Sequence, residues 1–234
     1  MIYVTGDTHG LLDFDKLHIF AGEHPELTLN DYVIIAGDFG GVWNSDRLVQ
    51  TLRYYTELPF TVLFVDGNHE NFDLLNAYPV EIWQGGKVHK IKPNIIHLMR
   101  GQVFEIEGKV IFTFGGATSI DKAFRRKGIS WWPQELPTFE EVQEGLNNLA
   151  RYNNRVDYIV THSCGRVAMR YRELRAAAGS KIACPELELL TTFEQKVKFK
   201  HWYFGHFHID ARLGKKYTAL MYNVVPIEPL KRGK

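Results

Sequence analysis

Short apolar runs, each closed by Gly, Asp, Asn or His, recur along this chain. Ile2-Tyr3-Val4, Tyr32-Val33-Ile34-Ile35, Thr61-Val62-Leu63-Phe64-Val65, Tyr158-Ile159-Val160 and Trp202-Tyr203-Phe204 are too short for helices and read as strands. Val33-Ile34-Ile35 is apolar at successive positions, so that strand is predicted to be central and covered on both faces. Helical spacing alternates with these runs. Phe14 to His24 sets Leu17 and Phe20 on one side, beside Phe14 and Ala21. Asp46 to Thr56 carries Leu48, Val49, Leu52 and Tyr55, with Ser45 as the candidate N-cap. Thr138 and Glu141 spell a capping box ahead of Val142, Leu146 and Leu149. Gly165 to Ala178 and Pro185 to Lys198 also read as helices, and Pro185 suits a first turn. Val103 to Ile106 and Val110 to Phe114 alternate more, and predict a hairpin around Glu107-Gly108-Lys109 in a second sheet. Tyr217 to Val225 reads as a last strand. The predicted class is α/β (α+β), with two mixed sheets in a β-sandwich flanked by helices.

Metal-liking residues sit just past those strands. Asp7 and His9 follow the first, Asp38 the second, Asn68 and His69 the third, His162 the fourth, and His206 with His208 the fifth. Sites in open α/β sheets form at the carboxyl ends of strands. Five separate segments therefore deliver Asp, Asn and His to one edge.

Composition narrows the class. The 234 residues are 45% hydrophobic and 24% charged, which fits one globular domain over residues 1–234. A formal net charge of +1 provides no global field for nucleic acid or an anionic membrane. The two cysteines, Cys164 and Cys184, make no CxxC pair and read as reduced thiols of a cytoplasmic protein. The first strand leads straight into Asp7, so a cleaved leader is not expected. No apolar run approaches the roughly 18 residues that span a bilayer.

Asp7, His9, Asp38, Asn68, His162, His206 and His208 mix oxygen donors with imidazoles. That mixture suits Mn first, with Fe, Zn, Co or Ni as alternatives, and is too nitrogen-rich for a Ca or Mg cage. Seven side chains exceed one tetrahedral site and suit two divalent ions, if one carboxylate bridges them. Such a pair clamps a phosphoryl group and acidifies a bridging water into hydroxide. The chain has neither a GxSxG elbow nor a P-loop, so no protein nucleophile competes with that reading.

Asp7-Thr8-His9, Gly37-Asp38, Gly67-Asn68-His69-Glu70, Thr161-His162 and Gly205-His206-Phe207-His208 stand in the order used by calcineurin-like metallophosphoesterases. The chain strongly resembles that superfamily from residue 7 to 208. The resemblance implies a four-layer sandwich with a binuclear centre on its upper edge. It implies Asp7, His9 and His208 at the first metal, Asn68, His162 and His206 at the second, and Asp38 bridging. It gives His69 the general-acid role. One departure stands out. The protein Ser/Thr phosphatases of the superfamily carry Asp-Arg-Gly shortly after the bridging Asp. Here Asp38 is followed by Phe39-Gly40-Gly41-Val42-Trp43, which lacks that phosphate-gripping Arg.

Ser119 to Pro137 follows Gly115-Gly116-Ala117 and should open on the same rim. Its Arg125 and Arg126 are candidate phosphate contacts, and Trp131 and Trp132 candidate stacking surfaces for a base. Packing beneath a solvated turn competes with that role. Phe39, Trp43 and Phe72 are pocket-wall candidates, with packing at least as good a reading. Arg166, Arg170, Arg172 and Arg175 spread around their helix and read as a solvated face. The predicted function is metal-dependent hydrolysis of phosphate esters, on a small-molecule or nucleotide substrate. A nuclease or cyclic-nucleotide phosphodiesterase is the alternative within enzymes, with nucleic acid open but not favoured. A non-catalytic metal-bound scaffold is the alternative outside them.

Overall fold

The computed structural model describes residues 1–43 and 48–227. Ser45 and Asp46, the predicted start of the second helix, lie outside the described residues. The strands are β1 (Ile2–Thr5), β2 (Tyr32–Ile35), β3 (Thr61–Phe64), β4 (Val80–Trp83), β5 (Gly86–Lys92), β6 (Ile95–Leu98), β7 (Gln102–Ile106), β8 (Lys109–Phe114), β9 (Tyr158–Thr161), β10 (His201–Phe204), β11 (Ala211–Leu213), β12 (Tyr217–Ala219) and β13 (Val225–Pro226). The helices are α1 (Asp15–Glu23), α2 (Leu48–Thr56), α3 (Phe72–Leu75), α4 (Phe139–Arg151), α5 (Arg172–Ala178) and α6 (Glu186–Lys196).

Among the described residues the strands form two sheets. One runs β13-β1-β2-β3-β6-β5-β4 and the other β11-β12-β10-β9-β8-β7. In the first sheet β1, β2, β3 and β6 are parallel. In the second, β8, β9, β10 and β12 are parallel. Parallel strands release their loops at one edge, so the predicted segments emerge together.

Strand alternation builds the layers. Ile34 of β2 faces the gap between the sheets with Val4, Leu63, Ile111 and Val160. Val33 and Ile35 face outward with Leu17, Phe20, Leu52 and Tyr55 from α1 and α2. Across the sandwich, Phe112 and Phe114 of β8 point outward with Leu149, Leu187 and Phe193 from α4 and α6. The order is helix, sheet, sheet, helix, as the resemblance implied. The hairpin β7–β8 does lie in the second sheet. The capping box of α4 is complete: Thr138 Oγ1 accepts from Glu141 N at 3.2 Å, and Glu141 Oε2 accepts from Thr138 N at 2.7 Å.

Two predicted elements are shorter than their pattern. The helix expected over 165–178 breaks at Tyr171, which is extended and ends a 3₁₀ turn, and only α5 is α-helical. The strand expected over 217–225 stops at Ala219. The Asp210 carboxylate accepts the N–H groups of Met221, Tyr222 and Asn223, which curls the chain away from its sheet. β13 then pairs with β1 in the other sheet.

Two buried histidines away from the strand-end cluster add to the acid sensitivity of the fold. Burial pushes His89 and His201 down to about 4, with His97 adding to it for His89. Their folded values lie below the unfolded value near 6.5. The unfolded state therefore binds more protons as pH falls through that window, up to about two, and stability drops. Urea unfolding at pH 7 and pH 5 should show this loss, and His89→Asn with His201→Asn should reduce it.

Candidate metal centre

The site is built where the two sheets meet. Thr8 N and His9 N both donate to Asp38 O, at 3.1 and 2.8 Å, which ties the loop after β1 to the loop after β2. Glu70, past β3, accepts from Phe39 N at 2.7 Å and Gly40 N at 3.1 Å. Asp38 Oδ1 accepts from His69 N at 2.7 Å. The second sheet joins through Asp7 Oδ1, which accepts from His206 N at 3.0 Å. His162 Nδ1 lies 2.9 Å from Ala36 O. Donation to that carbonyl orients the ring and leaves Nε2 as the nitrogen that faces the site.

The backbone is contorted here. His9, Asp38, His206 and His208 all have φ between 45° and 66°. Left-handed conformations in residues with a Cβ cost about 1–2 kcal/mol each, and four at one edge mark a site that tertiary structure enforces. Gly37 allows a close approach, because its φ is +94° and a Cβ would overlap the His162 ring.

The side chains converge. Asp7, His9 and His208 offer donor atoms within 4.8 Å of one another, as do His9, Asp38 and His69, and Asp7, Asp38 and His162. Asn68 Oδ1 is 3.1 Å from His162 Nε2, and the His162 and His206 rings are 4.8 Å apart. All seven predicted ligands are thus brought together. His208 is the exposed member.

Charge shows what the site suits. Asp7 and Asp38 are both fully buried. Burial alone would raise the Asp38 carboxyl, but His162 and His69 hold it well below the usual range. Burial opposes a charge on His162 too, yet Asp38 and Asp7 lift it to about 9. His206 goes the other way: burial, with His162 and Lys181 beside it, keeps it neutral. His206 Nε2 is buried without a hydrogen-bond partner, and the buried Asp7 Oδ2 has the His208 ring nitrogen 3.2 Å away. An imidazole nitrogen left unpaired in a dry site is costly, and both it and the carboxylate oxygen are ligand atoms for a divalent ion. The residues fit such ions.

The long loop over 119–137 does reach the rim. Arg125 Nη1 lies 3.0 Å from His69 Nδ1, and Nη2 lies 3.0 Å from Nε2. A guanidinium only donates and a neutral imidazole has one acceptor, so one of these is a hydrogen bond and the other a close contact. Asp121 steadies Arg125 from behind at 2.8 Å. Burial and the Arg125 charge keep His69 below its ordinary value, against the pull of Asp38. Arg126 is exposed. Trp132 is buried, donates to Asp73 Oδ2 at 2.7 Å and packs on Trp43, so it is wall and offers no stacking face. Trp131 is half-buried beneath Lys122. Phe39 and Phe72 are core residues.

Sequence reasoning missed three groups. Glu70 carried no role there, yet it holds the Asp38 loop. Ser119 and Glu135 form a buried pair that touches Asn68. Their only signal was position, Ser119 just past β8.

The sequence model of the calcineurin-like phosphoesterases matches residues 1–210. A lariat debranching enzyme of Schizosaccharomyces pombe is 26% identical over 249 aligned residues, covering 94% of this chain and 49% of that protein. One from Danio rerio is 25% identical, covering 94% of this chain and 41% of that protein. The chain spans about half the length, or less, of the curated relatives it matches. Among solved structures, a sulfate thiohydrolase of Thermus thermophilus shares 12% identity at a TM-score of 0.44, covering 94% of this chain and 51% of that one. The phosphopantetheinyl hydrolase of Mycobacterium tuberculosis shares 16% at 0.40, covering 94% and 89%.

If cations complete this edge, Mn²⁺ stabilises the fold and a chelator reverses it. Saturation at a hundredfold over Kd is worth about 2.7 kcal/mol. The thermal midpoint should rise with Mn²⁺ in the wild type, and much less in Asp38→Asn.

Proposed function

The chain belongs to the calcineurin-like phosphoesterase family, and on that footing we propose that it is a phosphodiesterase acting through two divalent ions, Mn²⁺ first among them. The observation that carries this is the convergence of the seven candidate ligands at one buried edge, with His206 Nε2 left without a hydrogen-bond partner. Asp7, His9 and His208 would hold one ion, and Asn68, His162 and His206 the other, with Asp38 between. Bound there, the ions would supply positive charge for the phosphoryl oxygens and acidify the attacking water.

The remaining work falls to the chain's own groups. His69 holds the proton that the leaving oxygen needs. Arg125, brought from a distant loop, fills the place of the arginine absent after Asp38. Its fork suits a phosphate edge. As the guanidinium turns from His69 to the substrate, its charge no longer opposes protonation of that ring. Binding thus arms the acid. Similarity to lariat debranching enzymes favours a diester, and a lariat branch is the candidate substrate. The chain acts as one domain. Both cysteines are free thiols, which supports a cytoplasmic setting, and no helix among the described residues is long and apolar enough to cross a membrane.

The Mn²⁺-loaded protein should hydrolyse bis(p-nitrophenyl) phosphate in preference to the monoester. Activity on monoesters alone would overturn the diester reading. His69→Ala should cost roughly 10²–10⁴-fold with an alcohol leaving group and much less with p-nitrophenolate, which needs no proton. Arg125→Ala should raise KM more than it lowers kcat. Equal rates in wild type, Asp38→Asn and His69→Ala would remove the mechanism. A branched oligonucleotide beside its linear counterpart tests the lariat.

A further inference from the structure

The two ends of an asparagine amide have nearly the same shape and opposite chemistry. The oxygen ligates a cation, and the NH₂ repels one. A site that uses Asn68 therefore has to fix its flip. We infer that Ser119 and Glu135 are positioning residues that hold the Asn68 amide with its oxygen toward the metals. This rests on the reading of Asn68 as a ligand.

The direction of each hydrogen bond follows from the chemistry. Asn68 is buried, with Nδ2 3.2 Å from Ser119 Oγ and Oδ1 facing His162. A serine hydroxyl has one hydrogen. Ser119 gives it to Glu135 Oε2 at 2.7 Å, because a carboxylate can only accept. Ser119 Oγ is left with lone pairs toward Asn68, and those lone pairs require a donor there. The amide answers with its NH₂, so its oxygen must point into the site. A hydroxyl free to rotate would accept either flip.

Glu135 is itself immobilised. Its Oε1 accepts from Ser119 N at 2.8 Å, and the side chain is buried. Arg100 Nη2 donates to the backbone carbonyl of Gln134 at 2.8 Å and reaches that of Glu135 at 3.4 Å. Arg100 Nε donates to Asp66 Oδ2 at 2.8 Å. Asp66 lies two residues before Asn68. The ring of contacts thus closes on the strand end that carries the ligand.

The test is Mn²⁺ titration of the full chain by calorimetry, with electron paramagnetic resonance to detect a coupled pair of ions. Wild type should bind two, and Asn68→Ala should lose the second. If Asn68→Ala keeps both, the ligand reading fails, and this inference with it. Ser119→Ala should weaken the second ion on the order of 10–100-fold and leave the first, at Asp7, His9 and His208, unchanged. Ser119→Thr, which keeps a hydroxyl, should restore it. Glu135→Gln is the sharper variant, because it is isosteric. Its new NH₂ donates to Ser119 Oγ, the hydroxyl hydrogen swings to Asn68, and the amide is drawn into the wrong flip. It should weaken the second ion with an unchanged thermal midpoint. Wild-type affinity in both Ser119→Ala and Glu135→Gln, with Asn68→Ala defective, would overturn the inference. So would an equal loss at both sites accompanied by a lower midpoint.

Discussion

Two carboxylates, Asp7 and Asp38, are buried side by side where the sheets meet, and the rest of the edge is arranged around that fact. Like charges out of water repel strongly and are tolerated only with compensation. Part of the compensation is built in. Asp7 accepts an amide from the far sheet, Asp38 accepts one from His69, and His162 sits against both. The two carboxylates also lift His9 and His162 to about 9, so protons on those rings offset their charge. Under the proposed function, a pair of cations would take over that role and release the protons. The same electrostatics that strains the joint makes it a candidate seat for metal.

Much of this was legible beforehand, for a physical reason. Doubly buried parallel strands must be apolar throughout, so β2, β3 and β10 announce themselves. Their loops must leave at one edge, so any Asp or His just past them is gathered without knowledge of the contacts. β4 and β5 were not foreseen, because β4 is an edge strand with half its side chains in solvent and carries no apolar run. The break at Tyr171 was missed because helical periodicity continues through it.

The supporting groups were opaque for a different reason. Glu70 and Phe39 are 31 residues apart, and Ser119 and Asn68 are 51 apart. Nothing in the local pattern of Gly67-Asn68-His69-Glu70 says which amide a carboxylate will meet. Trp132 shows the same limit from the other side. It lies in a segment that does reach the rim, yet its indole N–H is spent on Asp73. Arg125 and Trp132 are seven residues apart in one loop, yet one lies against the His69 ring and the other is packed into the wall.

The bond from His206 N to Asp7 Oδ1 spans 199 residues, and the one from His162 to Ala36 spans 126. Closing such long intervals is entropically unfavourable until the intervening chain has packed. On the ribosome, then, the growing polypeptide owns only fragments of the cradle through most of its synthesis. The last strand-end loop, bearing His206 and His208, is what completes it. Under the proposed function, ion capture would be a late rivet, and a chain that stalls before that loop emerges would have no complete seat for one.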